Sequence, residues 1–112
     1  MIAKVNGAGR LSEAFEVQHS FEVDGAFVSI HIRLNISQWT ENTFQVWGVK
    51  QIYTVRHPAI SKCAYSEEFP TVEFDTVEEA TAFYSKRILN AVSTIRAETF
   101  NVDEQGEIVC KK

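Results

Sequence analysis

The chain is poor in residues that break, staple or anchor a fold: its 112 residues include five glycines, two prolines, two cysteines and one methionine. Two cysteines, Cys63 and Cys110, are too few for a disulfide framework to replace a core, and they read as two free thiols. With 45% of residues hydrophobic and 23% charged, the chain is not a disordered tail. No apolar run approaches the roughly 20 residues that a membrane-spanning helix needs. The opening Met1-Ile2-Ala3-Lys4-Val5 lacks the apolar core of a signal peptide, so the expectation is a cytoplasmic protein with no membrane contact. Positive charge is short as well, with 11 Lys and Arg against 15 Asp and Glu and a net charge of −4. Glu67, Glu68, Glu73, Asp75, Glu78 and Glu79 follow one another with no Lys or Arg between them. A nucleic-acid binder that neutralises phosphates needs a basic stripe, and none is present.

What the chain does have is apolar material, 45% of residues with 12% aromatic. That supplies one core and one domain, residues 1–112. Its organising stretch runs from Phe15 to Ile36, two runs of strict alternation joined by Asp24-Gly25, a strong hairpin signature. A two-residue turn there sets Phe15, Val17, His19, Phe21 and Val23 opposite Leu34, Ile32, Ile30, Val28 and Ala26 on one face. The other face pairs Glu16 with Arg33, Gln18 with His31, Ser20 with Ser29 and Glu22 with Phe27. A slip of one residue would turn Arg33 and His31 inward, so the register is strongly specified.

Around this hairpin the remaining elements can be read in order. Met1 to Val5 has strand character and Asn6 to Gly9 breaks it; Gly7-x-Gly9 lacks the strand, helix and longer glycine pattern of a phosphate loop. Ser37 to Asn42 reads as a polar connection carrying Trp39. Thr43 to Arg56 reads as a strand whose apolar parity changes from Phe44 and Val46 to Val49, Tyr53 and Val55, which predicts a β-bulge near Trp47-Gly48. His57 to Pro70 reads as a long irregular loop, followed by a short strand from Thr71 to Phe74. Thr76 and Glu79 form a capping box. Val77, Ala80, Tyr84, Ile88, Ala91, Val92 and Ile95 then recur at helical spacing, predicting a helix from Thr76 to about Ala97. Residues 99–102 and 107–110 flank a turn and predict a second, smaller hairpin. The fold class is therefore α+β: an antiparallel meander of three main strands with short edge strands, and one long helix packed on one face.

No catalytic motif stands in the chain. The hairpin register puts His19 and His31 on opposite faces, where they cannot share a ligand, so neither metal nor cofactor is expected. A Cys63–His57 nucleophilic pair would need a depressed thiol pKa and an orienting group, and neither is legible. Aromatic and charged residues outside the expected core are the partner-binding candidates: Phe27, His31, Arg33, Trp39, Trp47, Tyr65, Glu67, Glu68, Phe69 and Glu73. The functional expectation is a non-enzymatic protein–protein interaction module, such as a small inhibitor or adaptor. It would act through the bare sheet face or the acidic segment 57–79, with homodimerisation through the bare face as a variant. Two alternatives stand beside it: single-stranded nucleic-acid binding on the face of Phe27, His31 and Arg33, and a small enzyme built on Cys63 or a histidine.

Overall fold

Asp24 and Gly25 both take positive φ, 52° and 76°, the type I′ geometry whose twist matches that of the strands it joins. The turn fixes the pairing of β1 (Ser12–Val23) with β2 (Ala26–Thr40) in the expected register, Val23 opposite Ala26 through to Phe15 opposite Leu34. The computed structural model describes residues 10–57, 60–98 and 100–109; the expected strand at Met1–Val5, the Gly7-x-Gly9 turn, Pro58 and Cys110 lie outside these. Two further strands, β3 (Thr43–His57) and β4 (Ile60–Phe74), extend the antiparallel sheet in the order β1-β2-β3-β4. Helix α1 (Val77–Thr94) continues as a 3₁₀ turn over Ile95–Ala97, and β5 (Asn101–Val102) pairs with β6 (Ile108–Val109) as the predicted small hairpin.

The α+β class, the meander and the helix on one face are what the sequence predicts, but the fourth strand is as long as its neighbours. Where an irregular loop was expected from His57 to Pro70, β4 runs through with its apolar parity broken. Opposite Val46 to Gly48, β4 spends three steps from Val72 to Phe69 where β3 spends two. Opposite Ile52 to Tyr53 it again spends an extra residue, from Tyr65 to Cys63. Each extra residue is a bulge that reverses which parity faces the helix, and so hides a strand from a period-2 reading. The bulge expected near Trp47-Gly48 does fall there, but in the β3–β4 ladder with its extra residue in β4; β2 and β3 stay in one register from Phe27–Val55 to Gln38–Phe44. Val49, Tyr53 and Val55 are apolar residues of the opposite face. The polar connection 37–42 likewise shrinks to a two-residue turn, Glu41-Asn42, because β2 continues to Thr40.

The core lies between the sheet and α1. Val28, Ile30, Ile32, Leu34 and Ile36 of β2 are all buried, as are Ala80, Tyr84, Ile88, Ala91 and Ile95 above them. Val92, expected in this stripe, is 39% exposed because it lies on the flank of the helix. The Thr76 hydroxyl accepts from Glu79 N at 3.2 Å, the N-cap half of the capping box, and donates to Glu79 Oε1 at 3.0 Å, so the two side chains are joined directly. An 18-residue helix is about 27 Å long, whereas the 15-residue strands β2 to β4 reach about 50 Å. The helix therefore roofs only part of the face. The C-terminal hairpin covers more: Thr54 Oγ1 donates to Gly106 O at 2.6 Å, and Arg56 donates to Val102 O, Asp103 O and the turn carbonyl of Asp24. Asp24 Oδ2 in return accepts from Val102 N and Asn101 Nδ2, both at 2.9 Å.

Two core details carry tests. A Cβ on Gly48 would lie 2.5 Å from Arg33 O and 2.8 Å from Leu34 Cδ2, too close to backbone for any small adjustment. Gly48→Ala should cost about 2 kcal/mol in urea unfolding; an unchanged midpoint would contradict this packing. Beside Glu13, the buried Tyr84 hydroxyl finds no hydrogen bond of good geometry, and burial, then the Glu13 charge, raises its pKa above 10. The folded chain thus holds this proton while the unfolded chain releases it near pH 10, so the associated stability is present below that pH and lost above it. In urea melts the wild type should lose more stability above pH 10 than Tyr84→Phe does; equal losses would contradict the assignment.

Candidate functional site: the uncovered sheet face

Because the β2 residues with even numbers face the helix, those with odd numbers point to the other side, which no described element covers. Register places four rows there. Glu16, Arg33, Val49 and Glu68 form one, and Gln18, His31, Gln51 and Ser66 the next; Ser20, Ser29, Tyr53 and Cys63 follow, then Glu22, Phe27, Val55 and Ser61. Trp47 lies beyond Arg33, beside Asn35, and Glu73 beyond that, beside Gln45.

The rows sort by chemistry across the sheet. Down β3 run Trp47, Val49, Tyr53 and Val55, all half-buried, interrupted by Gln51; Phe27, 48% exposed, adjoins Val55. An apolar ridge thus follows one of the two inner strands. Glutamates flank it, Glu16 and Glu22 on β1 and Glu68 and Glu73 on β4, and Arg33 is the one cation among the described residues of this face. Arg33 Nη1 lies 3.3 Å from Glu16 Oε1, with 54% and 68% of these side chains exposed, a pair worth little to stability. Three shallow hollows of the face all have Arg33 in their walls.

Beside the ridge a polar network closes on itself. Ser29 Oγ meets His31 Nε2 at 2.8 Å, takes a bond from Gln18 Nε2 at 3.0 Å and lies 3.1 Å from Ser20 Oγ. The His31 ring stands edge-on to Tyr53 at 5.2 Å, and Tyr53 Oη donates to Gln51 Oε1 at 3.0 Å. A serine against a histidine is half of a nucleophilic dyad, but Ser29 is buried and shared among three partners, and no described carboxylate bonds His31 to orient it. The network is better suited to fixing ring positions than to attacking a substrate. Cys63 is exposed on the same face with its sulfur 3.3 Å from Tyr65 O; the side chain of His57, its expected partner, lies outside the described residues. Among those residues no group of three or more His, Cys, Asp and Glu could hold a metal.

The sequence candidates divide between two faces. Phe27, His31, Arg33, Trp47, Glu68 and Glu73 gather on the uncovered one, and Trp39, 61% exposed, stands at the tip of the β2–β3 hairpin. Tyr65, Glu67 and Phe69 do not join them, because the β4 bulge turns them to the helix side opposite Ile52, Lys50 and Gly48. Phe69 packs half-buried against the core, with the Arg87 guanidinium 5.7 Å from its ring and 4.5 Å from that of Phe83. Burial there lowers the Arg87 pKa, while Tyr65, donating to Glu67 at 2.9 Å, has its pKa raised chiefly by that bond. Lys50 pairs with Glu98 in the same groove between α1 and β4. The sequence signal that marks Val49, Tyr53 and Val55 as residues of this face is their odd parity, which in the sequence alone is equally the mark of a change of strand phase.

Comparison with protein-family models, with curated proteins and with solved structures finds no match. The geometry of the face therefore carries the functional reading. Ser29→Ala should cost about 1 kcal/mol, since three polar side chains lose their shared partner, while Arg33→Ala should leave urea stability within about 0.5 kcal/mol. The reverse order would make Arg33 a structural residue rather than an available one.

Proposed function

We propose that the chain is a non-enzymatic protein-binding module, an inhibitor or adaptor, that docks a partner on the uncovered sheet face. The observation that carries this reading is the apolar ridge from Trp47 to Val55, adjoined by Phe27 and bordered by four glutamates. An apolar centre inside a charged rim is the anatomy of a protein interface. An inner strand with apolar residues on both faces reads as one meant to be covered on both. Acidic borders favour a partner whose own apolar strip is flanked by Lys or Arg, and they would raise its association rate at low salt. A second copy of this chain is a poorer fit to the face, since glutamates would meet glutamates.

The same charge balance weighs against the nucleic-acid alternative, in which a phosphate backbone would approach four carboxylates and one arginine. The paired and shared contacts of Ser29 and His31 weigh against an enzyme. The test is affinity capture from the native cytoplasm with the wild type and with Val49→Asp, a surface change that leaves the covered core untouched. Specific partners should be retained by the wild type, released by moderate salt and lost from the variant. Equal recovery on both would refute the face as the binding surface, and salt-sensitive binding of single-stranded oligonucleotides in its place would favour the alternative.

A further inference from the structure

The two edges of the sheet are built differently. β4 carries Pro70, which offers no N–H, and two bulges that bend it away from a flat template. β1 has neither device, and its outer edge pairs with no described strand. In a two-residue hairpin Val23 and Ala26 exchange backbone bonds, so the odd residues of β1 bond inward to β2. Its even residues, Glu16, Gln18 and Ser20 among them, then direct N–H and C=O outward. We propose that this edge pairs with the same edge of a second copy of the chain, joining two four-stranded sheets into one across a two-fold axis at Gln18.

The sequence of β1 is complementary to itself in that one register. Antiparallel pairing centred on Gln18 sets Phe15 against Phe21, Glu16 against Ser20 and Ala14 against Glu22, with no like charges opposed. Moving the centre by one residue to Val17 breaks the Phe15–Phe21 pair, setting Phe15 against His19 and Glu13 against Phe21, and moving it to His19 opposes Glu16 to Glu22. A centre at Glu16 brings two copies of that carboxylate together. An isologous contact requires such a self-matching patch, and addition of a strand to a free edge supplies the backbone bonds.

The helix side of β1 supports the same partner. α1 lies chiefly over β2 and β3, leaving Phe15, Val17 and Phe21 partly buried. Arg87, Asn90 and Thr94 line the groove toward β4, so at 100° per residue Val92 falls on the flank toward β1 and Leu89 above it, on the outer shoulder of the same side. They are 39% and 70% exposed. Two copies paired along β1 would bring these apolar flanks toward each other over the shared sheet.

Sedimentation analysis of the full chain tests this. The wild type should run at twice the 12.7 kDa of one chain. Gln18→Lys and Gln18→Glu each place like charges at the axis and should weaken self-association by about ten-fold or more. An equimolar mixture of the two should recover the wild-type mass, a rescue that misfolded variants could not give. A monomer at the highest soluble concentration would overturn the proposal, and so would a dimer indifferent to both substitutions or a mixture without rescue.

Discussion

The alternate burial of β2 is the constraint on which the rest of the molecule depends. Val28, Ile30, Ile32, Leu34 and Ile36 are buried on the side of the sheet covered by α1 and the C-terminal hairpin, at 5% exposure or less, and a period of two leaves no freedom about where their neighbours point. Once those five are on the covered side, Phe27, Ser29, His31, Arg33 and Asn35 must share the opposite surface. The Asp24-Gly25 turn transmits the choice to β1, and the unbroken β2–β3 register transmits it to β3. Gly48 belongs to this constraint, because only the absence of a side chain lets β3 lie against Arg33 O and Leu34.

The parts of the fold that could be read from sequence are those with one dominant local signal. Asp24-Gly25 admits one common hairpin, and Thr76 with Glu79 marks one helix start. β4 was not legible because its pattern is interrupted twice. Val72 and Phe74 face the helix with even numbers, Phe69, Glu67 and Tyr65 with odd, and Lys62 with an even number again. β3 misled for a different reason. Its odd positions carry Trp47, Val49, Tyr53 and Val55 while Phe44, Val46 and Ile52 fill the even ones, so the strand shows two apolar faces, where a reading that assumes one must invent a bulge.

The candidate site inherits that error and explains it. Phe27, His31 and Arg33 could be placed from the hairpin register alone, whereas Tyr65, Glu67 and Phe69, expected in an irregular loop, are set on the helix side by a bulge that leaves no local mark apart from Pro70. The ridge along β3 is the feature that ties the fold to the proposed function. The apolar side chains of this ridge are only half-buried in the isolated chain, and burying the remainder against a partner would add roughly 25 cal/mol for each Å² removed from water.

Single-cysteine labelling along β2 is the most direct test of the two-faced strand. In a chain with Cys63 and Cys110 replaced by serine, cysteines introduced by Phe27→Cys and Arg33→Cys should react rapidly in the native state. Those introduced by Val28→Cys and Leu34→Cys should react only as the chain unfolds. Labelling without alternation, or with the opposite parity protected, would contradict the assignment of faces on which the fold and the proposed binding surface both rest.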